Sequence, residues 1–245
     1  TDTADYGRVL DDLHRHDRSL SDELRRELAV RAFATTCRYD AAISRWLFER
    51  ELEEGVTETP FPASYALAGT KAMDLRYGEN PHQTAAFYRL PGADEPSVAT
   101  ADLLGGKALS YNNLVDLDAA LALAKEFEEP FVAVTKHNNP CGAACAETIA
   151  EALEKAWAGD SLSAFGSVLA FTRDLDRDCA EFLVSGNRFV EAIIAPGFDS
   201  SALDLLQHRP KWGKSVRLLA VGPFGPGVRR AADLELKRLV GGFLL

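Results

Sequence analysis

The sequence predicts an α/β fold preceded by a helical segment, and three observations carry that prediction. Short apolar runs, "FVAVTK", "GSVLAFT" and "EAIIAPG", recur between stretches of helical periodicity, which favours a sheet with helices packed on it, mostly parallel where the crossovers are helical. Residues 20 to 52 read as helix with no strand signal. Between these regions, "EEGVTETPFPASYALAG" is polar and carries two prolines, so a domain junction is expected near residues 54 to 64.

In chain order, Ser19 or Ser21 can cap the first long helix, and Glu23 and Glu27 occupy its early turns. Leu24, Leu28 and Ala32 recur at helical spacing before a second run, "YDAAISRWLFEREL". The segment is therefore a helical hairpin or one long bent helix. After the junction, "LLGGKALSYNNLVDLDAALALAKEF" leads into a helix from about Leu114, with Asp116 and Asp118 in its first turn, where the helix dipole favours negative charge. "FVAVTK" follows Pro130 as a strand, and "AETIAEALEKAWAG" is an amphipathic helix ending at Gly159. "GSVLAFT" and "EAIIAPG" are strands separated by the helical "DRDCAEFLVSG", while "VRLLAVG" and "VGGFLL" read as later strands.

Composition narrows the function classes. With 245 residues and 47% hydrophobic content the chain can bury one or two cores. Its 37 acidic and 27 basic residues leave a net charge of −10 without a basic tail, which argues against nucleic acid or anionic membrane as partner and favours small molecules. No apolar segment approaches the ~20 residues of a membrane span, and the N-terminal stretch lacks an apolar signal region, so a cytoplasmic protein is expected. Cys37, Cys141, Cys145 and Cys179 are too few and too uneven for a disulfide scaffold, and reduced thiols are expected. A first residue other than Met and the apolar ending "GGFLL" suggest a piece of a longer chain.

The chemistry centres on "VAVTKHNNPCG", where a buried strand runs into Lys136 and His137. A neutral imidazole can take a proton near pH 7, and an adjacent ammonium disfavours the imidazolium, so the pair suits a general base beside an electrostatic stabiliser. The alternative is a histidine satisfied by a carbonyl and a solvated lysine. Asn138, Asn139, Pro140 and Gly142 read as a donor-rich turn, after which a helix can aim its N-terminal amides at an anion. A second candidate is "LRYGENPHQ", which puts Arg76, Tyr77, Gly78, Asn80 and His82 in one loop. A guanidinium fork, a flat hydroxylated ring and a close backbone approach suit a nucleotide-like ligand; an ordinary Asn-Pro turn with a surface arginine is the alternative. "GDSLSAFGSVLAF" offers Ser161, Ser163 and Gly166 as contacts and Phe165 as a stacking face, or else a strand entry whose phenylalanine anchors the core. Glu191 stands before an apolar strand as ligand or solvated edge.

Other signatures fail. "GGKAL" lacks the upstream glycine and following Ser or Thr of a P-loop and reads as a turn with a lysine. "PCGAACAE" has residue types of the zinc deaminases, but three residues separate Cys141 from Cys145 and the Cys-x-Glu follows the Pro-Cys, so no metal site is expected. Asp11, Asp12, His14 and His16 read as a solvated helix face.

Taken in order, "LRYGENPHQ", "GKALSYNN", "TKHNNPCG", "GDSLSAFGS" and "IIAPGF" closely resemble the family that joins AICAR formyltransferase to IMP cyclohydrolase in purine biosynthesis. The likeness runs from about residue 60 to the end, and "AFATTCRYDAAISRWL" resembles the last helices of the cyclohydrolase domain. It implies residues 1–55 as the end of that domain and 56–245 as the first half of a formyltransferase domain, a three-layer, cytidine-deaminase-like subdomain that needs no zinc. The implied reaction moves a formyl group from 10-formyltetrahydrofolate, as co-substrate, to the amino group of AICAR ribonucleotide, giving FAICAR, which the family also cyclises to IMP. Lys136 and His137 match the family's catalytic pair: His137 would accept the amine proton, and Lys136 would stabilise the oxyanion or help the folate nitrogen leave. Arg76, Tyr77, Gly166 and Glu191 match nucleotide-binding positions. A homodimer that builds its site across the interface is implied too, so this chain alone should carry a half-site. A nucleotide-binding module without turnover is the alternative from another class.

Overall fold

The computed structural model describes residues 2–225 and 235–245. Two compact units emerge, one of Thr1–Thr70 with Leu234–Leu245 and the other of Lys71–Asp233.

In the first unit, α1 (Tyr6–Arg15) is followed by α2 (Asp22–Glu53), a single uninterrupted helix of 32 residues. Of the two alternatives expected for residues 20–52, a helical hairpin or one long helix, the single helix is found, and the helical hairpin lies between α1 and α2. Ser21 caps α2 through the Leu24 amide, and Asp22 and Glu23 fill the first turn. The carboxylate of Asp12 accepts both the amide (2.7 Å) and hydroxyl (3.2 Å) of Ser21, giving one member of the polar cluster in α1 a role in closing the turn. Those two hydrogen bonds hold Asp12 below the usual carboxylate range. Across the helices, Arg8 makes a two-pronged pair with Glu27 at 2.9 and 2.6 Å, and Arg31 reaches Asp5 and Glu27. The "VGGFLL" segment contributes to a hairpin of strands Lys237–Leu239 and Gly242–Leu244.

The second unit is the α/β part. Strands β1 (Thr70–Leu75) and β2 (Ala85–Arg89) form a two-stranded sheet. Next come β3 (Asp102–Gly105), α3 (Tyr111–Ala124), β4 (Phe131–Lys136), β5 (Asn139–Cys145), α4 (Ile149–Gly159), β6 (Ser167–Phe171), α5 (Arg177–Val184), β7 (Val190–Ala195), α6 (Ser200–His208) and β8 (Arg217–Ala220). Six of these strands make one sheet in the order β3-β8-β7-β6-β4-β5. The pairs β6–β7 and β7–β8 are parallel and are joined through α5 and α6; β3–β8, β4–β6 and β4–β5 are antiparallel. Helical crossovers and parallel pairing therefore coincide, as the sequence predicts.

Alternation along the strands builds a core on each face. Val132 and Val134 of β4, with Leu169 and Phe171 of β6, pack with Leu153, Leu183 and Leu206 of α4, α5 and α6. On the other face, Phe131, Ala133, Val168 and Ile194 pack with Leu117 and Leu121 of α3. The result is three layers, α3 on one side and α4–α6 on the other. Leu75 and Phe87 of the small sheet also pack on the α3-side core.

β5 and α4 meet at Gly142, where a Cβ would stand 1.8 Å from the carbonyl oxygen of Ala156. No rotamer relieves a clash between a Cβ and backbone. Gly142→Ala is therefore expected to cost about 1–3 kcal/mol as overpacking, read as a lowered denaturation midpoint, whereas the same change at Gly7, with nothing within 4 Å, should not destabilise in this way.

Candidate functional site

Three sequence expectations change around Lys136 and His137. The residues after His137 form a strand, not a turn leading to a helix: β4 and β5 make a tight hairpin with Lys136 paired to Asn139. His137 (φ 55°) and Asn138 (φ 64°) are its two loop residues, both in the left-handed region that a two-residue loop of this kind requires. Because β5 runs away from this tip, α4 starts at the far end of the sheet, beyond Cys145, which pairs with Phe131. Its N-terminal amides therefore point elsewhere.

The third change concerns α3, which starts at Tyr111 rather than near Leu114. Ser110 and Asn113 form a reciprocal capping box, using Asn where the usual signature has Glu or Gln. Asp116 thereby moves out of the first turn and takes a structural task, its Oδ1 accepting the Asn138 amide at 2.8 Å. The Nδ2 of Asn139 donates to the His137 carbonyl at 2.9 Å. These two bonds hold a backbone conformation that non-glycine residues adopt at a cost of about 1–3 kcal/mol. His137 is exposed, and neither ring nitrogen has a hydrogen-bond partner among the described residues.

Lys136 is half-buried and its Nζ donates to the Phe165 carbonyl at 2.9 Å, which leaves the ammonium further N–H donors. The lysine thereby ties the hairpin to the segment holding Phe165 and Gly166. That segment is ordered from within: Asp160 accepts the Ser163 hydroxyl at 2.6 Å and the amides of Ser163 and Leu162. The Ser163 hydroxyl first, then these amides, hold Asp160 below the usual carboxylate range. Gly166 sits at φ 76° and donates its amide to the Phe189 carbonyl at 2.7 Å. Phe165 is 45% exposed and tilts against Phe189 with centroids 5.5 Å apart, so it is no core anchor and has a face open for stacking.

Arg76 and Tyr77 follow β1 in a self-bonded loop. The Gly78 amide donates to the Gln83 carbonyl at 2.9 Å, and the Arg76 guanidinium stands 5.7 Å from the Tyr77 ring centroid. Asn112 Nδ2 donates to the Glu79 carbonyl at 3.3 Å. Since Asn112 and Asp116 are four residues apart, one face of α3 contacts both this loop and the hairpin tip. Glu191 is neither free nor merely a solvated edge residue: its Oε2 pairs with Arg217 Nη1 at 2.6 Å. No sequence pattern singles out Arg217 or Asp160, and the pattern marks Asp116 only as a helix-dipole charge, because each acts through a partner distant in sequence or on a hydroxyl that any loop could offer.

The position of this constellation in the sheet is unusual. β5 to β8 run one way and β4 the other. Lys136 therefore ends its strand where Ser167, Val190 and Arg217 begin theirs. In open α/β sheets ligands normally sit at the carboxyl ends of the parallel strands; here the reversed β4 brings a lysine and a histidine to the opposite edge. Cys141 lies close by, but burial raises its thiol, which donates to the Val134 carbonyl, and it offers no ready thiolate. Among the described residues no group of three or more His, Cys, Asp or Glu could hold a metal ion. No described helix is long and apolar enough to cross a membrane.

A family model described as AICARFT/IMPCHase bienzyme matches residues 1–245. Over 245 residues the chain is 44% identical to the bifunctional purine biosynthesis protein PurH of Rhodopirellula baltica, covering 100% of this chain and 45% of that protein. It is 46% identical over 250 residues to the PurH of an Anaeromyxobacter species and 44% identical over 248 residues to that of Myxococcus xanthus, covering 100% of this chain and 46% of each relative. The chain thus spans about half the length of these relatives.

Proposed function

Because the chain belongs to the AICARFT/IMPCHase bienzyme family, we propose that it carries the nucleotide half of a site that transfers a formyl group from 10-formyltetrahydrofolate to AICAR ribonucleotide. The observation that carries this reading is the hairpin tip, where His137 projects from a backbone fixed in the left-handed region and Lys136 is tied to the Phe165–Gly166 segment. In the proposed mechanism His137 takes the proton from the substrate amine as it attacks the formyl carbon. Lys136 stabilises the oxyanion that develops, or the departing folate nitrogen. An aromatic amine beside a carboxamide is a weak nucleophile, so holding it against the formyl carbon matters more than a covalent intermediate. Arg76 binds the nucleotide phosphate through its fork, Tyr77 and Phe165 offer flat faces, and Gly166 and Glu191 contact the nucleotide, with Asn138 and Asn139 lining the site.

In the same reading residues 1–55 close a cyclohydrolase domain whose partner activity converts FAICAR to IMP, and 56–245 open the formyltransferase domain. The three layers of the second unit support, at a coarser level, its cytidine-deaminase-like character. We place the protein in the cytoplasm as a homodimer, with no metal in the chemistry.

Calorimetric titration with AICAR ribonucleotide tests the nucleotide half. Saturable binding is expected, and Arg76→Ala should weaken it about 10- to 100-fold through loss of a charge-assisted contact. A folded chain that does not bind, or binding indifferent to Arg76, would contradict the assignment.

A further inference from the structure

Arg217 opens β8 with a side chain only 8% exposed, beside a Glu191 side chain that is 38% exposed. Its Nη1 holds Glu191 Oε2 at 2.6 Å, its Nη2 donates to the Ala108 carbonyl at 3.3 Å, and its buried Nε has no partner. A buried cation with an unmet donor is a weak source of stability, since desolvation offsets much of the pairing. Another use is therefore indicated. The β6–β7 ladder supplies it: Ser167 pairs with Val190 but Val168 pairs with Ala192, so the register slips and Glu191 is left unpaired. Such slips re-aim a side chain, and here Glu191 meets the Arg217 guanidinium two residues after Phe189, whose carbonyl accepts the Gly166 amide. Glu191 Oε1 has no hydrogen-bond partner among the described residues. The "GGKAL" turn belongs to the same arrangement, with the Lys107 amide on the Ser215 carbonyl and a Gly106 Cβ position 2.0 Å from the Val216 carbonyl oxygen.

We propose that Arg217 is a positioning residue: it locks one oxygen of Glu191 and so presents the other to a hydrogen-bond donor of the bound nucleotide, a ribose hydroxyl or an N–H of the base. This rests on the nucleotide reading of the site. A planar fork that spans Glu191 and the Ala108 carbonyl together is what a lysine cannot reproduce, so the lysine variant should rescue only in part.

The test is a double-mutant cycle on AICAR ribonucleotide binding to the whole chain, with thermal melting run alongside. Arg217→Met is expected to weaken binding about 10- to 30-fold, Arg217→Lys less, and Arg217→Met by under about 2-fold when Glu191→Gln is already present, because the two act as one unit. Melting of the double variant should match or exceed that of the wild type. Titration with the 2′-deoxy and 3′-deoxy nucleotides assigns the donor: if one of them is insensitive to Arg217→Met, the missing hydroxyl is the partner, and if both remain sensitive, the base is. Should Arg217→Met fail to fold, the cycle is run with Arg217→Lys and the same non-additivity is required. Equal losses with and without Glu191→Gln, or no loss, would overturn the proposal while leaving the nucleotide site standing. Failure of the folded wild type to bind would overturn both.

Discussion

Replacing His137 by alanine, in a chain of the relatives' full length, is expected to lower folate-dependent formation of the formylated nucleotide by about 10²–10⁴-fold, the usual contribution of a general base. Two features make this a clean experiment. The ring nitrogens have no hydrogen-bond partner among the described residues, so truncation leaves no described group orphaned. The backbone at φ 55° penalises alanine as it does histidine, and the effect of strain can be separated with His137→Asn, since asparagine tolerates the left-handed region. Both variants should keep the hairpin and bind nucleotide within a few-fold of the wild type; activity within a few-fold of normal in either would remove His137 from the chemistry.

Lys136→Met is the second large effect expected, about 10²–10³-fold in kcat if the ammonium stabilises developing charge. Methionine keeps the apolar stem but removes the donor to the Phe165 carbonyl. The loss should therefore divide: most of it in kcat, with a smaller rise in KM as the segment before Gly166 loosens. A change confined to KM would mean that Lys136 only orders that segment.

The same contrast explains what could be read in the sequence. The strands "FVAVTK", "GSVLAFT" and "EAIIAPG" were legible because their apolar runs are buried on both faces, as a central strand demands. The edge strands were not. Asn139–Cys145 carries exposed positions and turn-forming residues and reads as a turn, and the exposed Asp102–Gly105 gives no strand signal before the glycines. The start of α3 was placed late because its cap uses Ser110 with Asn113, a pair without the usual acid. Lys136, His137, Arg76 and Tyr77 stood out by type and by setting at a strand's end or in a loop. By contrast, the Glu191–Arg217 and Asp116–Asn138 contacts join positions 26 and 22 residues apart, which only the sheet order and the packing of α3 on it bring together.

Amide NMR during titration with AICAR ribonucleotide shows whether nucleotide binds where β4 ends and β6 to β8 begin. Binding there should shift the amides of Asn138, Gly166 and Arg217 together along one saturation curve, while Thr172 and Gly197, at the carboxyl ends of β6 and β7, stay in place. Shifts concentrated at Thr172 and Gly197, with the hairpin tip unmoved, would put the ligand at the opposite edge of the sheet and contradict it.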